Sequence, residues 1–332
     1  MSINIKTIGI LTSGGDAPGM NAAIRAVTRT ALQKGIKVMG IYRGFNGLIS
    51  DEEDVIKELD IRSVSDIINK GGTVLYTARC PEFVPIEGVR RGVETCRRLG
   101  IEGVVVIGGD GSFRGARDLS NEGVPCVAIP ATIDNDIAST GYTVGFDTAL
   151  NTAMELMDKL RDTTQSHDRC SVVEVMGRRA GDIALHTGIA CGATSILTVE
   201  RDDYTVEDAI ARIKSTQTSG KHHFIIVVSE GYTAARHIDA HHIAKQIEDA
   251  TGVESRATIL GHVQRGGSPT LRDRVMASRF GYAAVELLEN GQGNRVVGIR
   301  KNEIVVTEIN AALEMKNESD EELYKIADVI SF

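Results

Sequence analysis

Short β-branched runs that end in glycine and a charged side chain recur along this chain, and no other feature restricts its fold as much. Gly103 to Ile107 runs into Gly108-Gly109-Asp110-Gly111-Ser112, and Val124 to Ile129 into Pro130-Ala131-Thr132-Ile133-Asp134-Asn135-Asp136. Ile8 to Leu11, Cys170 to Val175, Phe224 to Val228 and Ala257 to Leu260 behave alike, with Gly15, Arg178, Glu230 and Arg265 at their tips. Each run has the length of one buried strand. Stretches with helical spacing lie between them, including Asn21 to Lys34, closed by Gly35, a short one at Val64 to Lys70, and Ala149 to Arg161. The alternation predicts an α/β fold of two doubly wound, three-layer α/β/α domains. Ligands of such sheets bind beyond the carboxyl ends of the strands, where the polar tips should sit.

The residue types at those tips suit phosphoryl transfer. Backbone N–H groups of a glycine cluster can close on phosphate, and the carboxylate of Asp110 beside them suits Mg²⁺. Asp134 and Asp136, two apart on one loop, can divide the work of accepting a proton and holding position. The first loop, Thr12 to Asn21, has neither the G-x-G-x-x-G order nor the Walker A lysine, yet it presents free N–H groups at a helix N-terminus. Arg79 lies in a glycine- and proline-bounded segment, and a guanidinium can bridge two phosphates. Glu230 suits sugar hydroxyls. Other residues read more plainly. Arg25 and Arg29 share one helix face, which by itself is a solvated stripe, and Glu87 to Leu99 reads as a surface helix. Ser166-His167-Asp168 is consecutive, whereas a catalytic triad depends on spatial roles. The pairs His222-His223 and His241-His242 lack the spacing of a zinc site.

Composition narrows the class. A chain of 332 residues with 42% hydrophobic content accommodates about two domains with substantial cores. Net charge of −8 argues against generalised affinity for nucleic acid or acidic membranes, and 4% aromatics without Trp argues against a base-stacking platform. No apolar run reaches the roughly 20 residues of a membrane span. The N-terminal Ile8 to Leu11 reads as a strand and not as a secretory segment, so the expected location is the cytoplasm. The cysteines at 80, 96, 126, 170 and 191 form no C-x-x-C pair and read as reduced thiols with packing roles.

Taken in order, T-S-G-G-D-A-P-G-M-N, G-G-D-G-S, T-I-D-N-D, V-E-V-M-G-R and G-H-V-Q-R-G-G-S-P closely resemble the motifs of bacterial ATP-dependent 6-phosphofructokinases along nearly the whole chain. The resemblance implies a glycolytic homotetramer that moves the γ-phosphoryl group of MgATP to the 1-hydroxyl of fructose 6-phosphate. By position, it makes Asp134 the base, framed by Thr132 and Asp136, with Arg178 and Arg79 stabilising charge in transfer. Asp110 would hold Mg²⁺, and Gly15, Arg79, Cys80, Gly109, Gly111 and Ser112 would seat ATP. Met176, Gly177 and Glu230 would contact the sugar and His262 and Arg265 its phosphate, joined by Arg169 and Arg256 from a neighbouring subunit.

The domains implied are discontinuous: 1–145 with about 258–310 for ATP, and 146–257 with about 311–332 for the sugar phosphate. The strand before Gly261 should then rejoin the first sheet, and the acidic tail from Glu308 should be helical. Pyrophosphate-dependent relatives tend to carry Asp at the position of Gly111 and Lys at that of Ala131; this chain has neither. Ala131 replaces a usual glycine, a change that costs roughly 1 kcal/mol if φ is positive. Arg25, Arg29, Arg161 and Lys221 match the family's site for ADP or phosphoenolpyruvate, whereas Ile61, Thr194 and Ser219 replace charged partners there, predicting a weakened or altered effector response. Competing readings are a pyrophosphate-dependent sugar-phosphate kinase and a non-catalytic sugar-phosphate sensor. NAD kinases share a G-G-D-G loop but lack the paired arginines and G-H-V-Q-R-G-G.

Overall fold

The computed structural model describes residues 5–52, 54–317 and 319–331. In chain order the early elements are β1 (Thr7–Ser13), α1 (Met20–Gln33), β2 (Lys37–Ile41), α2 (Phe45–Leu48), β3 (Ile56–Leu59), α3 (Ile86–Arg98), β4 (Gly103–Gly108), α4 (Asp110–Asn121) and β5 (Cys126–Pro130). There follow α5 (Phe146–Ser166), β6 (Cys170–Val175), α6 (Asp182–Ala190), β7 (Ser195–Leu197), α7 (Val206–Thr218), β8 (Phe224–Ser229), α8 (Glu230–Arg236), α9 (Ala240–Thr251) and β9 (Ser255–Ile259). The chain ends with α10 (Leu271–Glu289), β10 (Arg295–Arg300), β11 (Glu303–Glu308), α11 (Ile309–Glu314) and α12 (Glu321–Ile330).

Two compact units divide these elements. The first comprises Met1–Ile133, Ile137–Thr148 and Arg265–Asn317, and the second Asp134–Asp136, Ala149–Gln264 and Glu318–Phe332. The first holds a seven-stranded sheet of order β11-β10-β5-β4-β1-β2-β3, parallel except for the edge strands β3 and β11. Val104 to Ile107 of β4 are fully buried, each gaining about 1.5–3 kcal/mol relative to exposure. The second unit holds a parallel sheet of order β7-β8-β6-β9, whose core packs Phe224, Tyr232 and Ile226 among aliphatic side chains.

Both sheets agree with the α/β expectation, and several local readings change. Val64 to Lys70 is a series of turns: Asp66 takes φ 54°, a left-handed conformation that ends any helix, while Val64 and Ile67 are buried. The strand preceding Gly261 does not rejoin the first sheet; β9 instead pairs in parallel with β6 at the edge of the second. The surface helix α3 turns Val89, Val93 and Cys96 into the core. The tail is helical as expected, in two helices, α11 capped by the Glu308 carboxylate and α12 capped by Asp320. Among the described residues all cysteines are free thiols, and Cys96, Cys126, Cys170 and Cys191 are buried.

Candidate active site

In the first unit β1 sends the chain to β2 on one side and the sheet continues through β4 on the other, so the topological switch lies between β1 and β4. Ser13 and Gly108 are register partners at the carboxyl ends of these strands, which puts the two glycine loops side by side. The Ser112 hydroxyl ties them, donating to the Ser13 carbonyl at 3.0 Å. Gly108 cannot be replaced: a Cβ there would fall 2.4 Å from that carbonyl. At Gly111, by contrast, a Cβ would meet nothing within 4 Å, so the loop backbone is open on that side.

The Arg79 segment is fastened to the same loop. Thr77 Oγ1 donates to the Gly14 carbonyl at 2.8 Å, Thr12 Oγ1 donates to Tyr76 O at 2.8 Å, and Asn21 bonds Lys70, Gly71 and Val74. Arg79 itself is exposed, and Cys80, half-buried beside it, has its thiol pKa pushed up chiefly by burial. Arg265 lies against Gly15, where a Cβ would fall 2.8 Å from its Nη1, and that nitrogen donates to Asp16 O at 3.2 Å. His262 is exposed.

Asp110 opens α4 and pairs with Arg114 at 3.1 Å. No group of three or more His, Cys, Asp or Glu side chains converges among the described residues. One carboxylate on a glycine loop fits a Mg²⁺ ion that takes its remaining ligands from water and nucleotide phosphates, as Mg²⁺ commonly does, and not an all-protein cage. The chain leaves β5 with Ala131 in an extended bridge to Val144, so its methyl meets no left-handed strain. Thr143 Oγ1 donates to the Thr132 carbonyl at 2.6 Å, bracing the approach to Asp134.

In the second unit the turn Asp134–Asp136 meets the β6–α6 loop. Asp134 is 5% exposed. Arg178 Nη1 stands 3.6 Å from Asp136 Oδ2. Gly177 at φ 142° and Arg178 at φ 57° form a strained corner, held because one oxygen of Glu230 accepts both their N–H groups, at 3.1 and 2.6 Å. Met176 N donates to Gln264 Oε1 at 3.3 Å. Arg169 and Arg256 lie beside one another, both pairing with Glu254, at 2.9 and 2.8 Å. The two arginines hold the Glu254 carboxyl below its usual range.

Arg25 and Arg29 lie on α1 in the first unit, whereas Arg161 and Lys221 share a cationic cluster in the second. Lys221 donates to Thr194 Oγ1 at 3.4 Å, and burial, then Arg161, pushes its pKa down. Arg161 Nη2 is buried with no hydrogen-bond partner. His223 joins this cluster with its pKa lowered, first by burial and then by Lys221 and Arg161. The sequence shows His223 only as one of a pair without zinc spacing, and its place just before β8 does not reveal the cationic neighbours. Asp182, Glu200 and Asp273 were also missed, because their partners are distant in sequence.

Fold and site together define an α/β protein whose strand tips are fitted to phosphate-bearing ligands. Residues 7–288 match the family model for phosphofructokinase. The chain is 54% identical over 327 residues to ATP-dependent 6-phosphofructokinase of Clostridium botulinum (strain Loch Maree / Type A3), covering 98% of this chain and 100% of the relative. Identity and coverage are the same for ATP-dependent 6-phosphofructokinase of Bacillus licheniformis. Phosphofructokinase from Saccharomyces cerevisiae superimposes with a TM-score of 0.86 at 32% identity, covering 98% of this chain and 46% of that one, so this chain spans just under half of the yeast chain. A pyrophosphate-dependent phosphofructokinase from Marinobacter aquaeolei shares the fold, with a TM-score of 0.81, 22% identity, and 96% and 86% of the two chains covered. The chain belongs to the phosphofructokinase family.

Proposed function

We propose that the chain transfers the γ-phosphoryl group of ATP to the 1-hydroxyl of fructose 6-phosphate, giving fructose 1,6-bisphosphate and ADP in glycolysis, with Asp134 as the base. The observation that carries this reading is the meeting of the Asp134–Asp136 turn with Arg178 in the second unit: a buried carboxylate beside a guanidinium 3.6 Å from its neighbour. Such a pair can take a hydroxyl proton and oppose the charge that develops on the moving group. Thr132 and Asp136 frame the base, and Arg178 and Arg79 stabilise charge in transfer. Gly15, Cys80, Gly109, Gly111 and Ser112 seat ATP, while Met176, Gly177 and Glu230 contact the sugar. His262 and Arg265 take its phosphate. Asp110 would hold Mg²⁺, which when bound screens the nucleotide phosphates. The domain that includes the seven-stranded sheet serves ATP, and the other serves fructose 6-phosphate.

The open space at Gly111 and the relaxed backbone of Ala131 favour ATP over pyrophosphate. The sensor reading is weaker, because Thr132, Asp134, Asp136 and Arg178 are all retained. We also assign a cytoplasmic homotetramer in which Arg169 and Arg256 complete a neighbouring subunit's sugar-phosphate site. No described helix is long and apolar enough to cross a membrane. ADP or phosphoenolpyruvate would act at Arg25, Arg29, Arg161 and Lys221, weakly, since Thr194 offers a hydroxyl where a metal-holding carboxylate is usual. A coupled assay for fructose 1,6-bisphosphate, run with ATP and then with pyrophosphate, tests the donor. Asp134→Ser should lower kcat about 10²-fold or more while sugar-phosphate binding persists, and retained turnover would remove Asp134 from the chemistry.

A further inference from the structure

Asn135, between the two aspartates of the turn, takes φ 54°, a left-handed conformation that a non-glycine residue keeps only when its surroundings impose it. Two residues grip the turn, one from the β6–α6 loop and one from the first position of α6: Arg178 faces Asp136, and the Asp182 carboxylate accepts a hydrogen bond from the Asn135 side chain. The first grip is weak, because the Arg178 side chain is 66% exposed and stands at 3.6 Å. Arg178 must also leave Asp136 if it turns toward a phosphoryl group, whereas the Asp182 bond to Asn135 does not depend on that movement.

Asp182 is itself anchored. It opens α6, and its backbone carbonyl meets His186 Nδ1 at 2.8 Å. The preceding Gly181 N–H donates to Glu200 Oε1 at 2.6 Å, and a Cβ at Gly181 would fall 2.4 Å from the other Glu200 oxygen. That oxygen lies 3.4 Å from the hydroxyl of Tyr324 on α12, which also bonds Thr198 Oγ1 at 2.7 Å. Burial makes an ionised carboxylate costly here, and a non-polar side chain would cost less. What the carboxylate adds is a fixed direction for the Asn135 amide.

We propose that Asp182 is a positioning residue for phosphoryl transfer, holding Asn135 left-handed so that Asp134 and Asp136 keep their orientation, with Glu200 and Tyr324 bracing it. This rests on Asp134 being the base. The test is a double-mutant cycle on the full-length chain in the fructose 1,6-bisphosphate assay. Asp182→Ala should lower kcat about 10- to 100-fold with KM for ATP within about twofold, since misplacement of about 1 Å can cost 10²-fold. Asp182→Asn, whose amide oxygen can still accept, should recover most of the rate. Asn135→Gly keeps the left-handed backbone accessible but lacks the amide, and should be slowed similarly; the double variant should be no slower than the slower single. Independent, multiplicative losses, or a wild-type kcat in Asn135→Gly, overturn the inference. Asn135→Gly decides the matter alone if Asp182→Ala does not fold. A wild-type chain without turnover would instead overturn the kinase reading, which separates the two failures.

Discussion

Gly111 shows how much one side chain can decide. Its missing Cβ would point into open space, so folding does not require glycine there. On the proposed function the requirement would come from the ligand, because a carboxylate at this place would face nucleotide phosphate. Gly111→Asp should therefore leave the melting temperature within a degree or two while lowering kcat/KM for ATP by roughly tenfold or more, given the like-charge cost in a site of reduced dielectric. An unchanged ATP dependence in steady-state kinetics would place the phosphates elsewhere. Gly108 is the opposite case: its neighbours Ser13 and Ser112 leave no room, and its loss should cost stability first. Both glycines belong to one motif, and only the surrounding atoms separate a steric role from a binding one.

At the scale of elements, the N-termini of α5 and α10 cap one another. Asp273 accepts from Gly145 N and Thr148 N, both at 2.9 Å, and from Thr148 Oγ1, while Thr270 donates to Asp147 Oδ2 at 2.6 Å and accepts from Asp273 N. The bond to Gly145 fixes the segment in which Val144 pairs with Ala131 and Thr143 braces Thr132. Asp273→Ala strands three buried donors and should destabilise the fold by about 2–5 kcal/mol, read by urea denaturation. Burial raises the Asp273 pKa above 3.8, against the opposing pull of the bonds from Thr148 and Gly145. Between that value and the raised one the folded state holds the extra proton, so this contribution falls as pH rises, and the stability gap to Asp273→Ala should narrow through that window. Only the Thr270–Asp273 cap is local; Thr270 lies 123 residues from Asp147, and Asp273 lies 125 from Thr148 and 128 from Gly145, so the link between the two helices was not legible in the sequence. The same limit explains the readings that changed. Val64 to Lys70 has helical composition, but seven residues cannot sustain a helix against the left-handed turn at Asp66. The sequence of β9 likewise does not say which sheet will take it.

For the whole molecule the question is what one subunit lacks. Arg169 and Arg256 both spend their charge on Glu254 within the chain. If they serve a neighbour's sugar phosphate, dilution that separates subunits should raise KM for fructose 6-phosphate by about tenfold and affect KM for ATP less, because two charge-assisted bonds are lost from one substrate only. Specific activity followed against protein concentration checks this, and a flat profile across dissociation would assign both arginines to their own subunit.

The sequence by itself determined the α/β class and which polar residues stand at the strand tips, because strand burial and glycine-bounded loops are written in contiguous residues. Its motifs also reached the family. The tertiary structure alone decided the strand order that sets Ser13 beside Gly108, the sheet that receives β9, and the supports from Asp182, Glu200 and Asp273. Those are pairings between distant segments, fixed by backbone register and by buried polar groups that must find partners, and no local pattern of residues encodes them.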